Sequence, residues 1–261
     1  MKDRPIQLMS HFAELKKRLY IAVAAILIAT ILAFVFYKPI QDFVQRPAIQ
    51  ALERVRPDDP ARLVQLDITE GWTVTAKVSV LVGFAVAFPV VLYQVIMFIR
   101  PGLKGNERRT LYLLLPGGTL LFIAGAAFAY YVAIPPAIHF LLQFGGEIAL
   151  VTPRLSSYVT LVSTLMIWLG LIFEIPIAMF ILAKLGILRP QGLSKHRRWI
   201  ILFAFVLAAI VTPTVDPVTQ ALVAGPIIVL FELGLLLTRL ATRRPPGVEN
   251  GADRSVTDAG N

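Results

Sequence analysis

Cysteine is absent from this chain of 261 residues, histidine occurs three times, and charged residues make up only 16%. The first absence removes disulfides, thiol chemistry and any Cys-based metal site, and three scattered histidines leave a zinc centre without ligands. The shortage of charge is more telling. Soluble domains carry about 25% charged residues, whereas here hydrophobic residues reach 57% and the charges gather in short clusters between long apolar runs. That pattern predicts an all-α, polytopic membrane protein and leaves no room for a second soluble domain.

Six apolar runs stand out, at about residues 19–36, 74–99, 110–134, 158–183, 199–211 and 218–237. The fifth holds 13 residues, and at 1.5 Å per residue it reaches about 20 Å against a hydrocarbon core of about 30 Å. The sixth is interrupted by Pro226 and ends near Glu232. A tight turn, Pro213-Thr214-Val215-Asp216-Pro217, joins the two. They read as a helical hairpin of short fifth and sixth spans, with local membrane thinning as the consequence. Residues 1–240 then form one six-span domain. The polar stretch 241–261, with Pro, Gly, Asn and Asp, reads as a disordered cytoplasmic tail.

Orientation follows from the basic residues. With six spans, one side of the membrane holds 18 of the 25 Lys and Arg and the other holds 7. The positive-inside rule therefore places both termini in the cytoplasm. The first run is long and lacks a small-residue cleavage site, so it reads as a retained span rather than a signal peptide. The net charge of +9 is then a topology signal, and nucleic-acid binding is not expected. On the outer side, 37–72 is a long, proline-bearing loop with a helix-like stretch at 49–55, expected to cap the outer face. The second outer loop, 135–157, carries an apolar stretch at 137–144 too short to span, expected to lie at the interface.

Against that apolar background the polar residues are few. Glu174 stands inside the fourth run, where an acid costs about 2.5 to 3.5 kcal/mol and normally faces a bundle interior, a watery cavity or a partner. Pro176 removes the helical bond to the carbonyl of Ile172 and can kink the helix there, opening a polar notch. Gln94, five residues after Pro89, is placed to supply a second polar group to it, although packing by hydrogen bonding serves equally well as its role. Before the first span, Phe12, Leu15 and Leu19 share one helical face while Glu14 and Arg18 form an i, i+4 pair on another. The loop Phe98-Ile99-Arg100-Pro101-Gly102-Leu103 leads to Glu107 at the start of the third span, where helix capping alone is a sufficient role. Glu14 and Glu107 are the only acids near the cytoplasmic ends of the first three spans. Both are placed to face an incoming cation.

His11 to Leu19, Phe88-Pro89 with Tyr93-Gln94, the Phe98 to Leu103 loop with Glu107-Arg108-Arg109, Phe173-Glu174-Ile175-Pro176, and Thr212-Pro213 with Asp216 and Gln220 together resemble the TatC family. That family is the multispanning receptor subunit of the twin-arginine protein translocase. The similarity covers about residues 7–240. It departs from the usual pattern at Phe12, Lys16 and Lys104, which stand where leucine, arginine and tyrosine are common. The resemblance implies a concave six-helix bundle in the cytoplasmic (inner) membrane that binds the twin-arginine signal peptides of folded export substrates at its cytoplasmic face. Carried over, Glu14 and Glu107 engage the signal's arginines, Phe98, Pro101 and Leu103 shape the surface beside them, and Glu174 meets single-span TatA- and TatB-like partners in a hetero-oligomer. Guanidinium suits this role because it bonds carboxylate in a bidentate, charge-assisted way that lysine does not reproduce. Arg18, Arg108 and Arg109 are candidates to compete for the same acids. Asp216 and Gln220 belong to the match, with helix capping as the plainer role for Asp216.

Two other classes are weighed against this. A proton- or cation-coupled secondary transporter can use an acid such as Glu174, but such proteins often carry inverted repeats and none is evident between the two halves. An intramembrane enzyme needs a nucleophile with its base, or paired aspartates at depth, and the spans offer neither. The expectation is a non-enzymatic receptor and scaffold without cofactor or metal, surrounded by membrane lipid.

Overall fold

A chain segment in hydrocarbon must satisfy its backbone hydrogen bonds internally, so long apolar runs of this kind become helices. A computed structural model describes residues 4–55, 57, 62–100, 108–146, 152–188, 197–212 and 216–242, with side chains described at 12–55, 57, 62–100, 114–146, 152–188, 197–212 and 216–239. The helices are α1 (Arg4–Val35), α2 (Tyr37–Val55), α3 (Glu70–Ile99), α4 (Arg108–Phe128), a π-helical turn (Ala129–Ala133), α5 (Ile134–Gly146), α6 (Leu155–Phe173), α7 (Ile175–Lys184), α8 (Arg197–Val211) and α9 (Pro217–Thr242). The tail expected at 241–261 falls almost wholly outside the described residues.

Five stretches are long and apolar enough to cross a membrane: Phe12–Val35, Glu70–Ile99, Leu114–Gly146, Leu155–Lys184 and Pro217–Arg239. The fifth apolar run is short as expected, since α8 has 15 residues. The sixth is not short. Helix α9 runs for 26 residues, about 39 Å at the α-helical rise. It passes through Pro226 because proline is tolerated inside membrane helices, where neighbours compensate for the lost bond. Glu232 does not end it either, being paired with Arg197 of α8 at 2.7 Å.

The expected break after the third run is also absent. Pro135 and Pro136 lie in the first turn of α5, and their rings crowd the carbonyls four residues back, at Tyr131 and Val132. Those two residues lie in the π-helical turn, a widening that accommodates the prolines and carries the helix on. The stretch 137–144 therefore lies in the last part of a helix continuous with α4, inside the 33-residue apolar stretch Leu114–Gly146, and is not a separate interfacial segment.

The cap is more helical than expected, because α2 begins two residues after α1 ends and covers 19 residues. Pro47 sits within it and has no N–H for the carbonyl of Phe43. The hydroxyl of Tyr130 donates to that carbonyl instead, at 2.6 Å, and the Tyr158 hydroxyl donates to the neighbouring Val44 carbonyl at 2.6 Å. Two tyrosines thus clamp α2 onto the π-helical turn and α6. The main apolar core lies directly beneath, joining Val44, Ala48 and Leu52 of α2 to Val74, Ile134, Val162, Leu165 and Leu169.

Close helix crossings depend on glycine. A Cβ on Gly125 would lie 2.6 Å from the Leu169 carbonyl oxygen, and one on Gly170 would lie 2.6 Å from the Phe122 ring. Helices α4 and α6 therefore cross almost backbone to backbone. Helix α1 packs chiefly on α3, leaving Phe12, Leu19, Leu27, Ile28 and Ile31 exposed along its outer side.

Candidate functional site

The polar residues fall into separate places. At the N-terminal end of α1, Arg18 donates to Oε1 of Glu14 from Nε at 3.1 Å and from Nη2 at 2.5 Å. Its Nη1 donates to Oε1 of Gln94 on α3 at 3.5 Å. The expected i, i+4 pair is therefore formed, and it is tied across to the second span. Gln94 does not join Glu174. Leu92 is the α3 residue that packs toward Glu174 and α4, and a position two further along a helix points about 200° away. Gln94 consequently turns to α1. Phe98 and Arg100 are partly buried at the end of α3, and Arg100 reaches the Met97 sulfur at 3.8 Å. Pro101, Leu103 and Glu107 lie outside the described residues.

Glu174 occupies the break between α6 and α7. Its backbone N–H bonds the Leu171 carbonyl at 3.1 Å and its carbonyl accepts from Ala178 at 2.9 Å, while Pro176 stands at the start of α7. The regular helix is therefore interrupted at Glu174, two residues before the proline. The carboxylate lies against α4, where a Cβ on Gly118 would be 3.0 Å from Oε2 and 2.5 Å from Leu92. Phe122 of the same helix approaches it through its main chain, yet neither buried carboxylate oxygen completes a hydrogen bond among the described residues. An alanine in place of Gly118 would fill the space the acid uses. Beside it, Phe88 and Phe122 stack at 3.8 Å, giving the acid an apolar wall.

The turn between α8 and α9 resolves the two remaining positions. Oδ1 of Asp216 accepts the Thr219 N–H at 2.6 Å, which is an N-cap with Pro217 at the first helical position. Its Oδ2 is buried without a partner among the described residues. Gln220 donates from Nε2 to the Phe205 carbonyl at 3.0 Å, pinning α9 to α8.

One acid that sequence reasoning passed over is more thoroughly engaged than any of these. Glu70 is 2% exposed. Its Oε1 accepts the Ser156 N–H at 2.7 Å, and its Oε2 accepts the Leu66 N–H at 2.9 Å and Arg154 Nε at 3.1 Å. An isolated parallel bridge between Val64 and Arg154 runs beside it. Glu70 thus staples the two outer connections together. From the sequence it reads only as an acid at a helix start, and its distance from Arg154 along the chain hides the pairing.

These features define a polytopic helical membrane protein with a self-paired acid at the N-terminal end of its first helix and an unsatisfied acid at a mid-span kink. Among the described residues, no paired catalytic groups accompany either. Residues 10–226 match the TatC family, described as Sec-independent protein translocase protein. The chain is 38% identical to the TatC protein of Aquifex aeolicus over 93% of this chain and 98% of that one. It is 34% identical to that of Carboxydothermus hydrogenoformans, over 92% and 95%. The chloroplast TATC of Arabidopsis thaliana is 32% identical over 92% of this chain and 68% of its own. A crystal structure described as the twin arginine translocase receptor TatC superposes with a TM-score of 0.77 at 38% identity, covering 89% of this chain and all of that one. The chain belongs to the TatC family of Sec-independent protein translocase components, a non-enzymatic membrane protein family. Nothing in these similarities supports the transporter alternative.

Proposed function

We propose that this protein is the signal-peptide receptor of a twin-arginine translocase, reading the paired arginines through Glu14 and Glu107, with Phe98, Pro101 and Leu103 lining the surface beside them. The observation that carries this reading is the Glu14–Arg18 pair: a guanidinium already sits on one oxygen of this carboxylate, held in place by Gln94. The Glu14 side chain is 37% exposed. An incoming arginine meets an acid whose geometry suits guanidinium, and Arg18 is the ligand it displaces. Glu174 is the second site in this reading. Its unsatisfied carboxylate, at a kink in a membrane helix, suits a polar group on a single-span partner of the TatA or TatB kind in a hetero-oligomer.

The same reading has six spans, α8 being the short fifth, with both termini in the cytoplasm and the protein in the inner membrane. It rests on the basic residues, 18 of 25 of which fall on the side of the N-terminus in a six-span arrangement. The helices make one transmembrane domain.

Binding of a twin-arginine signal peptide to the purified protein in detergent tests it. Glu14→Ala and Glu107→Ala are each expected to weaken binding about tenfold or more, the scale of one charge-assisted contact. A twin-lysine peptide is expected to bind worse than the twin-arginine one. Arg18→Gln releases Glu14 and is expected to tighten binding a few-fold. Binding indifferent to both acids and to the lysine exchange contradicts the proposal.

A further inference from the structure

We propose that the groove between α2, the π-helical turn and α5 binds the headgroup of an anionic phospholipid, with the lipid's acyl chain lying along the outer side of the turn. Two adjoining cavities form this groove, of about 410 Å³ and about 640 Å³, sharing Arg54, Tyr131 and Pro135. Arg46 lines the first cavity and His139 the second. Among the described residues, neither guanidinium has a hydrogen bond or ion pair and no acid lines either cavity. Arginine forms bidentate, charge-assisted bonds to phosphate, so two of them lining a concave site favour a phosphate-bearing ligand.

The apolar half of the groove selects a lipid over an acidic protein segment. Tyr131 is 67% exposed and Val132 is exposed beside it, and Phe140 lines the second cavity. All three belong to the stretch Leu114–Gly146, which is of membrane-spanning length. The cations therefore stand next to a surface made for hydrocarbon, with a tyrosine at the boundary, the usual place of aromatic residues at a membrane–water interface. A ligand that satisfies both halves carries an anion and an alkyl chain in one molecule. The two walls of the groove are also joined. Tyr130, next to Tyr131, stacks on Phe43 of α2 at 4.3 Å and 9° while its hydroxyl holds the Phe43 carbonyl. The helix that carries both arginines is thereby held against the π-helical turn.

The test is native mass spectrometry of the purified full chain in a neutral detergent, offered phosphatidylglycerol, phosphatidylcholine or glycerol phosphate. The expected result is retention of phosphatidylglycerol about tenfold or more above phosphatidylcholine, with glycerol phosphate failing to compete at equal concentration. Two arginine contacts of about 1 kcal/mol each correspond to roughly thirtyfold. R46Q/R54Q is expected to erase the preference and R46K/R54K to keep part of it. K77Q, at a different cation-lined cavity, is expected to leave it intact. Because neither arginine holds the fold, the variants are read on folded protein, and Tyr131→Ala gives a second reading by weakening phosphatidylglycerol retention without altering charge. Equal retention of the two lipids, or a preference that survives R46Q/R54Q, overturns the proposal. Displacement of bound lipid by a soluble polyglutamate peptide at matching affinity overturns it in favour of an acidic protein segment.

Discussion

Glu70 and Glu174 are two acids removed from water in the same protein, and their surroundings differ completely. Glu70 accepts three hydrogen bonds from two outer connections that are far apart in sequence. Glu174 completes none among the described residues, although both its oxygens are buried. A buried acid whose oxygens are filled contributes to the fold, while leaving one unfilled is costly and gives the fold nothing. The first is therefore read as architecture and the second as a group held ready for something outside the chain. Asp216 lies between them, with one oxygen on the Thr219 N–H and the other without a partner among the described residues.

That ordering is open to attack by mutation, beginning where the effect is greatest. Glu70→Ala is expected to cause the largest loss of thermal stability, because it orphans two main-chain donors and Arg154 together. Hydrogen exchange should show the loss concentrated at 62–70 and 152–158, and a melt unchanged from wild type removes the staple. Gly118→Leu comes next. Its side chain overlaps Leu92 and the Glu174 carboxylate, an overpacking that typically costs about 1 to 3 kcal/mol, and it is expected to displace the acid and impair capture of a single-span partner. Asp216→Ala is expected to cost about 1 kcal/mol, the worth of an N-cap, read as a small shift in the melt and earlier exchange in the first turn of α9. The smallest effect on stability belongs to Glu174→Ala, since its carboxylate completes no hydrogen bond among the described residues. Co-purification of a TatA- or TatB-like partner is nonetheless expected to fall sharply. A destabilisation as large as that of Glu70→Ala would place the two acids in one class and end the comparison.

Much of this was legible in the sequence, and the exceptions have physical causes. Apolar run length located the spans, and Pro176 marked the break at Glu174 because its missing N–H leaves the Ile172 carbonyl without its helical donor. Asp216 before Pro217 announced a helix start for the same kind of local reason. The partner of Gln94 was not legible, since that depends on the rotational phase of α3, and a run apolar on all sides carries no phase signal. The third span was expected to end at 134, yet a π-helical turn upstream of Pro135 and Pro136, with Ala129, Tyr130 and Ala133 buried, carries the helix on. Glu70 was missed because its three donors come from Leu66, Arg154 and Ser156, two of them more than eighty positions away. The loop bearing Glu107, Pro101 and Leu103 is known only through its sequence and the family it matches.

The most direct test of the division between structural and poised acids is export of a folded twin-arginine substrate, measured per folded molecule, in cells carrying Glu70→Ala or Glu174→Ala. The account predicts that Glu70→Ala lowers the amount of folded protein while each surviving molecule exports nearly normally, and that Glu174→Ala leaves folded protein abundant but poorly active. Normal export by abundant Glu174→Ala protein would contradict it.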